Sequence, residues 1–221
     1  MPIKHPALPW VLPMAVFILF LAIGDVFGLG PWEYVLRCIV LSAVLVIFSR
    51  RVIDLRVNFI WASIALGFAV FAIWIAPDLL IPGYRTHWLF QNSITGKVSS
   101  SMASNHQQDT WVLVFRAVRA VILVPIIEEL FWRGWLMRWL VDRDFEKVPL
   151  GTYTGEAFWL PALLFAAEHG PYWEVGLAAG IAFNWWMVRS KSLGDCILAH
   201  AAANAALSAY VVLAGKWEYW L

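Results

Sequence analysis

Charge is scarce in this chain of 221 residues. Asp, Glu, Lys and Arg make up 14% of it, against about 25% in soluble domains, while 62% of the residues are hydrophobic. That excludes a solvated globular domain and leaves a membrane protein. The 16 basic and 15 acidic residues gather in no block of one sign, so neither nucleic acid nor a strongly acidic partner is implied. Cysteine is almost absent: Cys38 and Cys196 lie in apolar runs and form no CxxC or other ligand-spaced cluster, which excludes a disulfide framework or a thiolate zinc site. A signal peptide is missing too. The first apolar run, Trp10 to Leu29, is too long for a signal core and has no small-residue cleavage site followed by a soluble domain, so it reads as a retained transmembrane helix.

What is present is a series of apolar stretches: Trp10 to Leu29, Tyr34 to Phe48, Phe59 to Ile75, Trp111 to Leu140, Ala157 to Ala167, Val175 to Val188 and Leu193 to Leu213. About 20 residues span a bilayer, so the expected fold is an all-α, polytopic transmembrane bundle of about seven spans (six to eight) with its active site in an intramembrane cavity. The fifth and sixth runs are short, and Gly170-Pro171 breaks the helix between them. No internal repeat or second domain is visible, so residues 1–221 read as a single integral membrane domain whose motif-bearing core is 111–214. Basic residues follow the second span (Arg50, Arg51, Arg56), the fourth (Arg138, Arg143, Lys147) and the sixth (Arg189, Lys191). The positive-inside rule makes these loops cytoplasmic. The N-terminus with Lys4 is then inside, and the polar stretch from Pro82 to Thr110 and the tail from Lys216 to Leu221 are outside. Arg116 and Arg119, near the outer end of the fourth span, argue against this orientation. The outer stretch reads as a solvated loop, with Tyr84, Trp88 and Phe90 available to lie in the interface.

Fifteen tryptophans are an excess. Trp10, Trp32, Trp111, Trp139, Trp173, Trp217 and Trp220 sit at expected span ends and read as an interfacial belt. Trp132, Trp135, Trp185 and Trp186 lie deeper and could line a cavity.

Ionisable groups inside membrane helices are costly and mark function by default. The fourth span carries Glu128, Glu129 and Arg133. Glu129 and Arg133 are four apart in the favourable order, acid before base, and can neutralise one another. Glu128 is left about 100° round the helix, free for another partner. The fifth span ends at Phe165-Ala166-Ala167-Glu168-His169. The seventh holds His200 and Asn204 on one face, separated by three alanines. A buried ion-pair cluster would account for the first group, an interfacial histidine for the second and interhelical hydrogen bonding for the third. Three helices presenting polar groups at comparable depth favour one shared site. Counted from the assigned cytoplasmic ends, the depths are roughly 15 Å for Glu128, 20 Å for His169 and 10 Å for His200.

A carboxylate and an imidazole around one water form a general-base pair for attack on a carbonyl. A second imidazole with an adjacent carboxamide suits a developing oxyanion. These residue types read as amide hydrolysis without a covalent intermediate. No GxSxG, HExxH or GxGD sequence offers the serine, zinc or aspartyl alternatives. Cys196, one turn before His200, leaves a thiol nucleophile open, and two histidines with a glutamate leave zinc open.

Glu128-Glu129 with Arg133 fits EExxxR, Phe165 with His169 fits FxxxH, and His200 with Asn204 fits HxxxN, in that order. In this the chain resembles the superfamily that joins CAAX prenyl endopeptidases with bacteriocin-processing and immunity proteins. The resemblance, over about Val124 to Leu213, implies a glutamic intramembrane endopeptidase that needs no metal or cofactor. It implies Glu128 and His169 as the water-activating pair, His200 and Asn204 as the oxyanion site, and Glu129 and Arg133 as orienting and charge-balancing residues. The substrate would be a membrane-embedded or lipid-modified protein or peptide, cut near its C-terminus. Phe131-Trp132-Arg133-Gly134-Trp135 and the loop Val148-Pro149-Leu150-Gly151 look like a bacterial branch that accompanies exosortase-type sorting, which implies a bacterial inner membrane and a sorting helix in place of a prenylated tail. The rival class is a non-proteolytic immunity or scaffold protein, or a small transporter using the polar cluster as an ion path.

Overall fold

A computed structural model of the chain describes residues 5–23 and 28–220. Lys4, the part of the first expected span at 24–27 and Leu221 lie outside the described residues. Within them the regular structure is helical, apart from one isolated bridge between Asn92 and Gly96. Seven helices follow the seven apolar runs: α1 Leu8–Ile23, α2 Trp32–Ser49, α3 Ile60–Leu80, α4 Thr110–Val141, α5 Gly155–Ala167, α6 Trp173–Ser190 and α7 Leu193–Ala214. By length and composition α2, α3, α4 and α7 can cross a membrane, and α1 and α5 are shorter apolar helices. The outer surface is apolar, with Trp61 82% and Leu80 77% exposed, as it must be where lipid replaces water. The protein is an integral membrane protein built as a polytopic helical bundle.

Small residues set the central packing. Gly67 of α3 lies against Ala199 and Ala202 of α7, where a Cβ would have no room, and Gly180 of α6 lies against Ala162 of α5. Lipid offers no hydrophobic force between helices, so close backbone approach of this kind does the holding. The first turns of α3 and α7 are joined by Asp195. It accepts from Asn58 N at 3.0 Å, Phe59 N at 2.8 Å and Ser63 Oγ at 2.9 Å, and so caps α3 from a neighbouring helix. Ser192 caps α7, Thr154 caps α5 and Asp109 caps α4 through their side chains. Helix α5 ends two residues before His169, and Gly170–Tyr172 forms a short 3₁₀ turn, the break expected at Gly170-Pro171.

Several sequence expectations change. Helix α3 runs five residues beyond Ile75, because the charge at its end, Asp78, is met by Arg85 at 3.1 Å. The polar stretch after α3 is less solvated than its composition implies. Arg85 also reaches Glu174 at 2.6 Å and the Pro171 carbonyl at 2.7 Å, and Phe90 and Met102 are buried, which ties the stretch to the start of α6. Desolvation lowers the pKa of Arg85, but its hydrogen bond to Asp78 and the charges of Glu174 and Asp78 together outweigh that and leave it raised. The tryptophans do not form one belt. Trp32 and Trp111 are exposed, but Trp10 is buried against Gly134 and Phe145, and Trp220 is buried at the far end of the bundle. Arg138 is also no loop charge: it lies over the Trp10 and Phe145 rings and donates to the Gly134 carbonyl at 2.5 Å.

Candidate active site

Helix α4 is interrupted by two π-helical turns, Arg119–Leu123 and Leu130–Leu136, a distortion common at functional positions. The first stands immediately before Pro125. Val124 donates to the Arg119 carbonyl, five residues back, and Pro125 has no N–H to give. The Ala120 carbonyl thereby loses its helical donor, and the Asn204 carboxamide of α7 supplies one at 2.8 Å.

The two adjacent glutamates that follow are treated differently. Glu129 is fully buried, and its Oε1 accepts from Arg133 Nη1 at 3.0 Å and from His200 Nδ1 at 2.9 Å. The Arg133–Glu129 pair expected from i, i+4 spacing is present; its extension to His200 was not foreseen. Arg133 also donates from Nε to Asn184 Oδ1 at 2.9 Å and from Nη2 to the Gly180 carbonyl at 3.3 Å, with the Phe165 ring beneath its guanidinium. Asn184 in turn donates to the Phe158 carbonyl. Glu128 is buried as well, but it makes no hydrogen bond among the described residues, and its Oε2 is shielded from solvent without a partner.

His169 Nδ1 lies 2.6 Å from the Phe165 carbonyl. A carbonyl only accepts, so Nδ1 carries the hydrogen and Nε2 carries the lone pair. That carbonyl is one of those left without a donor at the end of α5, which gives the FxxxH spacing a physical reason. Gly176 leaves space for the ring; a Cβ there would stand 3.2 Å from His169 Cβ. His200 stacks on Phe183, with ring centroids 4.9 Å apart. Its Nδ1 faces the Glu129 carboxylate, and so both histidines have Nδ1 engaged and Nε2 left for chemistry.

One cavity of about 400 Å³ collects these groups. Glu128, Phe165, His169, His200 and Asn204 line it, with Glu168, Arg116 and Arg119. All four residues singled out as chemical are therefore on its wall, while Glu129 and Arg133 lie behind it. The deep tryptophans do not form this wall: its tryptophans are Trp74 and Trp220. Cys196 is buried outside it, with its thiol toward the Phe183 carbonyl. Among the described residues no three His, Cys, Asp or Glu side chains are arranged to hold a metal ion. Asn184 and Glu168 were missed as candidates. Asn184 carried the same signal as the others, a polar side chain in the middle of an apolar run.

Residues 110–206 match the model of a family described as Rce1-like, type II CAAX prenyl endopeptidase Rce1-like. Over these residues the chain is similar to that family. The matched segment holds all three motifs and leaves α1 to α3 outside it. No curated protein and no solved structure matches the chain. The family is one of proteases of the CAAX type, in keeping with a site enclosed by membrane helices.

Proposed function

We propose that the protein is a glutamic-type intramembrane endopeptidase that hydrolyses a peptide bond near the C-terminus of a membrane-embedded or lipid-modified substrate. One observation carries the reading. Glu128, His169, His200 and Asn204, from three separate segments of the chain, line a single cavity, and among the described residues Glu128 has no structural hydrogen bond to maintain. Glu128 takes a proton from a water as its oxygen attacks the scissile carbonyl, and the His169 Nε2 lone pair orients that water. The tetrahedral oxyanion is met by His200, whose ring is held at Nδ1 by the Glu129 carboxylate, and by the Asn204 N–H not engaged with Ala120. Glu128 then returns the proton to the departing amine. Arg133 pairs with Glu129 at 3.0 Å and so balances its charge in a low-dielectric interior. No thiolate or metal enters these steps. The basic loops after α2, α4 and α6 favour an orientation with the N-terminus inside.

The test is cleavage of membrane peptides by the purified protein, read by mass spectrometry, beside Glu128→Gln. Cleavage lost in that variant supports the reading, and cleavage retained near the wild-type rate removes Glu128 as the base. The bond from Asn204 to Ala120 favours a second reading for that one residue, a tie between α7 and α4.

A further inference from the structure

Glu168 follows the last residue of α5, precedes His169 and lines the same cavity as Glu128. Its side chain stays exposed there, and among the described residues its carboxylate makes no hydrogen bond and no ion pair. The position is electrostatically poor for an acid. The C-terminal end of a helix carries partial negative charge. Glu128, 5% exposed and with no hydrogen-bond partner among the described residues, is a second carboxyl in the cavity, and the charge of Glu168 acts on it. Arg133 is the cation whose charge reaches Glu168, and it is already bound to Glu129, Asn184 and the Gly180 carbonyl. Arg116 and Arg119, though on the cavity wall, are not among the charges that act on Glu168.

The complement of this corner is a cation. An ionisable group at membrane depth that ties no helices together faces a cavity and marks the path of an ion or a substrate. Among the described residues no third side chain joins Glu128 and Glu168 in a group suited to a metal ion, which favours a basic side chain as the occupant. The wall around it is apolar and aromatic, with Phe71 and Trp74 of α3 and Phe165 of α5. The Trp74 ring meets the His169 ring with centroids 5.2 Å apart. Such a wall suits the apolar stem of a Lys or Arg and attracts its charged head. Neighbouring Cα atoms are about 3.8 Å apart, so Glu168 stands one residue from the imidazole of the water-activating pair. An extended peptide advances about 3.3 Å per residue. A basic side chain within about two residues of the bond held beside His169 therefore comes within reach of Glu168.

We propose that Glu168 is a specificity-determining residue that binds a Lys or Arg side chain of the substrate within about two residues of the scissile bond. This rests on the reading of the cavity as a peptidase site. It adds a substrate class, apolar peptides with a basic residue flanking the cut, and a substrate-binding residue that lies outside the roles given to the three motifs.

The experiment uses a set of apolar membrane peptides that differ at one position at a time along the chain, where they carry Arg, Lys, norleucine or Glu. The purified full chain cuts them in neutral detergent micelles, and mass spectrometry locates each cut. The wild type should cut peptides with Arg or Lys within about two residues of the bond at least about tenfold faster than the norleucine peptides, and the Glu peptides slowest. In Glu168→Gln the ratio of basic to norleucine peptides should fall to about one. In Glu168→Lys the order should reverse, with the Glu peptides cut fastest, which a structural carboxylate would not cause. Equal rates for basic and norleucine peptides in the wild type, or a basic preference retained in Glu168→Gln, overturns the proposal. Turnover lowered on every peptide by the same factor in Glu168→Gln also overturns it and gives Glu168 to proton transfer. The wild-type comparison decides even where the variants do not fold.

Binding of the same peptides to Glu128→Gln, followed by titration calorimetry, separates this proposal from the peptidase reading. Basic peptides bound at least about tenfold tighter than norleucine peptides, with no peptide cut by the wild type, would keep the cation site and reject the peptidase. Basic and norleucine peptides bound and cut alike would do the reverse. Phosphatidylethanolamine that raises the melting temperature of the wild type but not of Glu168→Gln, with basic and norleucine peptides bound alike, would give the carboxylate to a lipid amine and overturn the proposal.

Discussion

Asp195 and Glu128 are both carboxylates on membrane helices, and the protein treats them in opposite ways. Asp195, at the start of α7, accepts two backbone N–H groups and a hydroxyl from the neighbouring helix start, and Ser63, which it binds, also receives Trp186 Nε1. Glu128, in the middle of α4, is also buried and accepts no hydrogen bond among the described residues. The first arrangement consumes the charge to fix geometry. The second leaves a proton acceptor without a competing task, at a cost carried by the network around it: Glu129 bound to Arg133 and His200, and Arg133 bound to Asn184 and Gly180. One region is closed by its own hydrogen bonds, and in the other Glu128 lines a cavity without a hydrogen-bond partner among the described residues.

The contrast is broken most directly at Glu128. Glu128→Gln should lower turnover by on the order of 10²–10⁴, the contribution of a positioned general base, while the melting temperature stays within about 2 °C, because no folded-state bond is removed. Turnover assays and a thermal scan on one preparation check both. A large loss of stability would place Glu128 with Asp195 as a structural carboxylate.

Asn204 stands between the two regions, since it lines the cavity and also holds the Ala120 carbonyl. Asn204→Ala should lower kcat by about 10²–10³ with little change in KM if its second N–H meets the oxyanion. It should also cost about 0.6 kcal/mol of stability, up to about 2, for the lost interhelical bond. Unchanged kcat with the stability loss would leave only the tie.

Arg133→Ala should cost about 3–5 kcal/mol, because Glu129 would remain buried without its cation; folded yield and melting temperature in detergent are the readouts. Asp195→Ala should cost less, about 1–3 kcal/mol, since the Asn58 and Phe59 N–H groups lose their acceptor near the loop, where water can reach them. It should leave turnover close to wild type. Activity lost out of proportion to stability in Asp195→Ala would merge the two regions into one functional unit.

The sequence disclosed the seven helices and the four residues on the cavity wall because both signals are local. Apolar runs mark helices, and a charge within such a run is conspicuous whatever it touches. The i, i+4 spacing likewise gave the Glu129–Arg133 pair. What could not be read were consequences of tertiary packing. His200 reaches Glu129 from 71 positions away, and the acceptor for Asn204 exists only because Pro125 and a π turn free the Ala120 carbonyl. Trp10 was assigned to the interface by its place at a helix end, but Gly134 opens a slot for its ring. Arg119 counted only as a charge against the assigned orientation, since a sequence does not show which way a helix face turns.

The smallest expected effect concerns the thiols. Cys196 precedes His200 by one helical turn, close enough in sequence to suggest a nucleophile, yet its side chain is wholly buried outside the cavity and points at the Phe183 carbonyl. Cys38 is buried between α2 and α4 with its thiol toward the Phe115 carbonyl. Among the described residues each thiol's hydrogen-bond partner is a backbone carbonyl, and thiolate formation in apolar surroundings is unfavourable. Replacing both with alanine removes one buried heavy atom at each site, which should cost on the order of 1 kcal/mol apiece, and should leave kcat and KM at wild-type values. Alkylating reagents should likewise leave the wild type active. Loss of turnover in the double variant at preserved melting temperature would transfer the nucleophile from a Glu128-activated water to Cys196, and would make Glu128 a supporting carboxylate like Asp195.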